Sequence, residues 1–569
     1  MKLKKSSLFF AAVIAVVPFG PSYAQTTPDA PAAPLPMPDA PAASPSVPVT
    51  PVAPARPAEP TTPAAPGTTP SAPTPADSNV VAATDSYNNG LAALKGGNLV
   101  SAAEHFTKVL TLTPDDAQAQ MLLGYVRLKQ ERYDEAVEAL QAADTKGAKL
   151  DVRSRAIIQN NIGMAYWNQK QYSRALPAYQ KAVALDGGYT DARYNLAFAL
   201  LSQNRAKEAL PLFTALAAQN PRDPMLQDGL GQSHEALSDW AKAFAAYKRA
   251  IALNAKDSSY PLNLGLAMLR SDPNGTIPGR RDQAIGFLRE ATKLNPQGAP
   301  AFLQLGLLLI EKKRWPEAQD TLRRYVALKP EDFLGIFNLA LAHDYAGKFD
   351  DALKLYGQAE TMMPTDPAVK NNVGRIYLKR KLYNESIEQF QKALALDATF
   401  ADARNNLALA LAAKGDYATS NSEWRKLITA TSAEIGRTKG KERLDLQGRL
   451  ASARAALAEN YLRDKNYAEA ATEYRALVKS APNNGAAWSN LGLALYHTKD
   501  LAGALAAYDD LLKRDPKNAV AHNNRGVVLE AQNKKSDALV AFKRAVELKP
   551  DYTEAKANRD RLLAATVVS

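Results

Sequence analysis

Apolar and polar positions along most of this chain alternate with the three- and four-residue spacing of amphipathic helices, and the pattern comes in pairs that repeat. A small residue marks the first helix of each pair, after Leu, Ile or Val in all but the first and last units. These small residues are Gly90, Gly124, Gly163, Ala197, Gly231, Gly265, Gly306, Ala340, Gly374, Ala408, Ala458, Gly492 and Gly526, and nine of the twelve steps between them are 34 residues. Twelve residues later a second small residue follows in nearly every unit, for example Ala102, Ala136, Ala175, Ala352, Ser386 and Ala538. A large side chain comes four further on, as at Phe106, Tyr179, Phe213, Tyr247, Tyr356, Phe390, Trp424 and Phe542, and proline closes many units, from Pro114 to Pro550. Two antiparallel helices approach closely only where side chains are small, and proline stops the second helix. The pattern therefore predicts about thirteen helix-turn-helix units over residues 83–552, with the large residues expected to fill the seam to the next unit.

Three steps are longer, at 39, 41 and 50 residues, which places insertions near 146–155, 271–280 and 429–449. The segment Ser271–Arg280 holds Pro273, Gly275, Pro278 and Gly279, so it reads as a loop between the two helices of the sixth unit. The segment around 429–449 stays compatible with helix, so its paired helices are expected to lengthen and project, with Arg437, Lys439, Lys441 and Arg443 at a basic tip. Residues 553–569 read as a polar helix capping the last unit.

This period of 34 with L-G, A-x-x-x-F and a terminal proline resembles the tetratricopeptide repeat family. The resemblance covers roughly four fifths of the chain. It implies an all-α, right-handed superhelical solenoid whose first helices line a concave face. Within those helices, the residue two before the small one is Asn in nine units: Asn88, Asn161, Asn195, Asn263, Asn338, Asn372, Asn406, Asn490 and Asn524. Asparagine costs about half a kcal/mol relative to Ala inside a helix, so the row needs a reason. It resembles the asparagine ladder of O-linked N-acetylglucosamine transferase repeats, where such amides hold an extended peptide. That resemblance implies a peptide-binding groove at Asn161, Asn195, Asn263, Asn338, Asn372, Asn406, Asn490 and Asn524, since an amide both donates and accepts. The alternative is that these amides tie adjacent helices together. Tyr125, Trp167, Tyr194, Phe198, Phe337 and Tyr345 occupy further groove positions, as side-chain pockets or as packing between helices. The Lys and Asn pair of the clamp that grips chaperone C-terminal tails is absent from every unit.

Chemistry at a catalytic centre has little to stand on. The five histidines, His105, His234, His343, His497 and His522, fall in different repeats, and no H-E-x-x-H spacing, P-loop or G-x-S-x-G elbow occurs. No cofactor, no metal and no enzymatic activity are expected. The chain has no cysteine, which removes disulfides, thiolate sites and a lipid-bearing cysteine.

The N-terminus changes the picture of where the solenoid works. Lys2, Lys4 and Lys5 precede an apolar run from Leu8 to Val17, and Ser22-Tyr23-Ala24 follows, the layout of a secretory signal peptide over residues 1–24. That run is too short for a membrane anchor, and a mature chain without a transmembrane span, periplasmic or secreted, is expected. Residues 25–82 form a Pro/Ala-rich linker, with Pro28, Pro31, Pro34, Pro36, Pro38 and Pro41 opening a polyproline-II spacer, a stalk or a ligand for proline-binding modules. Of the net charge of +12, the leader carries +3 and the linker −3, so +12 remains on the repeats, a mild bias toward acidic partners. Together these features predict a non-enzymatic scaffold for proteins or extended peptides, used during envelope assembly. A scaffold for exopolysaccharide synthesis or export is the alternative. Nucleic acid is not expected as a partner, since the predicted export and moderate basicity argue against it.

Overall fold

The structure, a computed structural model, describes residues 75–147 and 150–567. Among these residues there are 27 α-helices and no strand, arranged as consecutive antiparallel pairs. The expected leader and most of the linker lie outside the described residues. The first helix, α1 (Pro75–Lys95), begins inside the segment expected to be linker, with proline at its first turn, where the missing N–H costs no helix bond.

The chain divides into two compact units, residues up to Leu308 and residues from Leu309 onward. In the first, six pairs run from α1/α2 (Pro75–Lys95, Leu99–Leu112) to α11/α12 (Ser259–Arg270, Arg280–Leu294), with α5 at Val152–Asn168, α7 at Thr190–Ser202 and α9 at Pro224–Ala236. In the second, the pairs include α15/α16 (Phe333–Tyr345, Phe349–Met362), α17/α18 (Pro367–Lys379, Tyr383–Leu396) and α19/α20 (Ala401–Lys414, Tyr417–Ile435). They continue through α21 (Gly440–Arg463) to α25/α26 (Ala519–Ala531, Lys535–Leu548) and the closing α27 (Thr553–Val567).

Local chemistry sets the boundaries. Asp116, Asp223, Asp332 and Asp366 cap first helices by accepting from the backbone N–H two residues on, at 2.7–3.0 Å. The turn inside each pair passes through one residue with left-handed φ. Gly97, Gly347 and Gly415 hold that place in three pairs, while Lys170, Lys313, Lys381, Lys465 and Lys499 hold it with φ of 57–67° in others.

Large residues pack on their own first helix and also reach the first helix of the next unit, as the spacing suggested: a Cβ on Gly229 of α9 would run into the Phe213 ring of the preceding unit. A Cβ on Gly163 would sit 2.6 Å from the Tyr179 ring, and one on Gly374 2.7 Å from the Phe390 ring. The small residue thus makes the socket for the ring sixteen positions later, and both rings are buried.

The insertions resolve differently. The first is partly absorbed by α5, which has 17 residues where most first helices have 13. Residues 271–279 form the expected loop, organised by buried Asp272, which accepts the N–H groups of Thr276 (2.7 Å) and Ile277 (3.1 Å). The third lengthens α20 and α21 to 19 and 24 residues, with Arg437, Lys439 and Arg443 exposed around their tip.

Candidate functional site: the face of the first helices

Neighbouring first helices touch, as α5 with α7 and α7 with α9 in the first compact unit and α15 with α17 and α17 with α19 in the second, so their inner positions there form a shared face. The asparagine row lies on it. Asn161, Asn195, Asn263, Asn338, Asn372 and Asn406 are buried, Asn490 and Asn524 are half-buried, and Asn88 is exposed.

What each amide does depends on the residue one position earlier in the preceding unit. Where that residue is Asn or Asp, the asparagine Nδ2 donates across to it, 35 residues back in sequence. Asn195 donates to Asn160 Oδ1 at 2.8 Å, Asn263 to Asp228 Oδ1 at 2.9 Å and Asn406 to Asn371 Oδ1 at 2.9 Å. In the closing helix Asn558 does the same to Asn523 at 3.0 Å. These four bonds tie neighbouring first helices, which is the structural alternative weighed for the row.

Elsewhere the preceding unit offers neither Asn nor Asp there, and the amides find other uses. Asn338 turns back to the Leu334 carbonyl at 2.7 Å, and Asn490 donates to the Tyr474 hydroxyl at 3.0 Å. Asn524 faces the Tyr508 hydroxyl and accepts from Asn523 Nδ2 at 3.2 Å. Behind Asn161 and Asn372 stand Met121 and Phe337, which accept nothing, and the Nδ2 groups of both asparagines are buried without a hydrogen bond. The row is thus part helix tie and part unpaired donor.

The partner positions Asn160, Asn371, Asn405 and Asn523 were missed in the sequence, although an Asn-Asn dipeptide marks each of them. Asp228, which stands where other units have Asn, was missed too. Its carboxyl accepts from Asn263 and from Gln232 Nε2 at 2.6 Å, and burial pushes its pKa up to about 6 despite those bonds, with Asp257 and Glu235 adding to the rise. Asn460 donates to Ser420 Oγ at 2.9 Å and Asn421 Oδ1 at 3.1 Å, a tie shifted in register by the long insertion.

The second unit also buries charge on this face. Asp344, with no exposed side-chain surface, binds Arg375 Nη2 at 2.8 Å and Lys379 Nζ at 2.6 Å, while Arg375 Nη1 donates to Asn372 Oδ1 at 3.1 Å. Of the candidate groove aromatics, Tyr125, Tyr194, Phe198 and Phe337 are buried packing residues, with Phe198 edge-on to Phe213 at 4.8 Å. Trp167 and Tyr345 remain half-buried, and Tyr345 stacks on Trp315 with centroids 4.9 Å apart. Among the described residues no group of His, Cys, Asp and Glu is placed to hold a metal ion, and no helix is long and apolar enough to cross a membrane.

The repeat pattern and the paired helices agree with comparison to known families. Tetratricopeptide repeat profiles match residues 87–150, 166–232, 278–334, 374–415, 455–519 and 519–552. The chain belongs to the tetratricopeptide repeat family. Curated relatives include the BBSome complex member BBS4 of Bos taurus, 24% identical over 38% of this chain and 41% of that protein. The protein O-mannosyl-transferase TMTC3 of Homo sapiens is 23% identical over 56% of this chain and 36% of its own length. Cellulose synthase operon protein C of Xanthomonas axonopodis pv. citri (strain 306) is 28% identical over 50% of this chain and 16% of its length. The chain therefore spans less than half of each of these relatives. Among solved structures, YrrB, a TPR protein with an unusual peptide-binding site, is 18% identical with a TM-score of 0.31, and the match covers 34% of this chain and 95% of YrrB. Membership makes this chain a repeat scaffold of the protein-binding type.

Proposed function

We propose that the chain is a non-enzymatic scaffold that holds extended polypeptide against the face of its first helices, in the bacterial envelope or outside the cell. The observation that carries this reading is the pair of unpaired buried amides, Asn161 and Asn372, in a row whose other buried members, Asn195, Asn263, Asn338 and Asn406, are paired. A buried donor without an acceptor costs about 1–3 kcal/mol, and a peptide carbonyl is an acceptor of the right kind. The signal-peptide layout of residues 1–24 supports the location.

Fluorescence anisotropy with a labelled, permanently unfolded polypeptide tests the binding. Saturable binding to the intact chain is expected, and its absence at all accessible concentrations would remove the reading. Mass measurement of the native protein tests the location, with a start near Gln25 expected and a retained Met1 contradicting it. The likeness to cellulose synthase operon protein C favours a second reading, a scaffold for polysaccharide synthesis or export. Binding of glucan oligosaccharides in place of polypeptide would decide for that alternative.

A further inference from the structure

In three units the amide relay runs the same way: the first Asn of the Asn-Asn pair donates its Nδ2 to the Oδ1 of the second. The distances are 3.4 Å for Asn160 to Asn161, 3.3 Å for Asn405 to Asn406 and 3.2 Å for Asn523 to Asn524. In α17 the relay is broken. Arg375 Nη1 takes the Asn372 oxygen, and Asn371 Nδ2 is left buried with no acceptor. Arg375 Nε is also buried and unpaired, and Asn372 Nδ2 faces the Tyr356 hydroxyl without forming a full hydrogen bond.

The amide oxygens of this cluster and those of Asp344 are already in use, and the one buried oxygen without a full partner, the Tyr356 hydroxyl, faces Asn372 and not Asn371. Asn371 Oδ1 accepts from Asn406, Asn372 Oδ1 from Arg375, and the two Asp344 oxygens from Arg375 and Lys379. Asp402 on α19 adds one further carboxyl nearby, whose pKa burial pushes up. The cluster therefore presents N–H donors with almost no acceptor to match. Beside it lie the stacked half-buried rings of Trp315 and Tyr345, with the Arg375 guanidinium 5.5 Å from the Tyr345 ring centroid.

A ligand that suits such a face supplies carbonyl oxygens, brings few N–H groups that would go unpaired, and offers rings or flat apolar surface to the aromatics. Proline-rich segments have all three properties: each proline removes one N–H, and their polyproline-II form docks against aromatic side chains. We propose that the α17 face is a site for a proline-rich polypeptide segment, a narrower ligand class that rests on the polypeptide-binding reading above. This chain carries such a segment itself, with sixteen prolines in residues 26–74.

The probe is a fluorescein-labelled synthetic peptide of residues 28–60. It is titrated into a full-length variant whose residues 26–74 are replaced by Gly and Ser, so that no other copy of the ligand is in solution. A second peptide carries Ala at every proline. Saturable binding of the proline peptide is expected, weakened at least tenfold in the alanine peptide. Asn371→Asp keeps the oxygen that Asn406 needs and removes the orphan donor, so it should weaken the proline peptide at least tenfold while circular dichroism shows the helical fold retained at the titration temperature, with melting lowered by the buried carboxyl. An alanine peptide that binds within threefold of the proline peptide, or an N371D chain that binds it as the parent does, overturns the inference. Binding of unfolded polypeptide without the proline peptide also overturns this inference, and leaves the broader reading standing. Loss of both overturns the two together.

Discussion

A single atom decides whether an asparagine of the row ties two helices or stays available. Asn195, Asn263 and Asn406 are spent because the preceding unit places an oxygen at Asn160, Asp228 and Asn371. Asn161 and Asn372 are unspent because Met121 and Phe337 stand there instead. Asp228 gives a pH test of this arrangement. Its folded pKa, pushed up to about 6, lies above the ordinary carboxylate value, so the folded state holds the proton more tightly than the unfolded state. Stability from this group is greatest below about pH 4 and declines as pH rises through about 6. In Asp228→Asn the Asn263 bond is kept, and the buried Gln232 Oε1, unpaired at present, can receive the new amide after a flip of the Gln232 side chain. Urea denaturation should show D228N more stable than the parent by roughly 2–3 kcal/mol at most at pH 7.5. At pH 4 the two should be nearly equal. An unchanged difference across that range would mean that the Asp228 carboxyl does not titrate there.

Helices and turns explain why the fold was legible while the site was only half so. The 34-residue period, the loop after Arg270 and the long helices α20 and α21 follow from spacing, proline and glycine, which act locally and leave marks in the sequence. The large ring in each unit reaches the next unit, as the spacing suggested, but its socket on its own first helix was not read from the sequence. Gly374 shows how tight that contact is. Ala is the better helix former by about 1 kcal/mol, yet its Cβ would stand 2.7 Å from Phe390. Overpacking of that kind costs about 1–3 kcal/mol, so Gly374→Ala should destabilise or at best break even. A clear gain in chemical denaturation would show that Phe390 moves aside freely. The turns give the opposite sign. Lys313 and Lys465 hold left-handed φ of 57° and 59°, where Gly347 and Gly415 stand in other pairs. Left-handed backbone costs an ordinary residue about 1–2 kcal/mol, partly offset by the greater unfolded freedom of glycine. Lys313→Gly and Lys465→Gly should each stabilise by about 0.5–1 kcal/mol, read as a higher denaturant midpoint, and a loss would mean that those lysine side chains contribute more than the strain removes.

At the scale of the molecule, the tetratricopeptide architecture supplies a long face of first helices, and substitutions along it decide where that face can bind. The asparagine row was visible in the sequence as nine residues at one register position. Its division into ties and unpaired donors was not, because it depends on a second residue 35 positions earlier that has no fixed identity. Stability and polypeptide binding should therefore separate by residue along the same row. The measurement that tests this most directly compares two double variants for urea unfolding and for affinity toward a labelled unfolded polypeptide. Asn195→Ala with Asn406→Ala removes two ties and leaves Asn160 and Asn371 oxygens unpaired, at about 1–3 kcal/mol each, so that chain should unfold at clearly lower urea. Asn161→Asp with Asn372→Asp removes the two unpaired donors while keeping the oxygens that Asn160 and Arg375 bind. That chain should lose at least tenfold in affinity; its buried carboxyls also lower stability, so affinity is the deciding readout. If it instead binds as tightly as the parent, the whole row is structural and the first-helix face does not hold polypeptide through these amides.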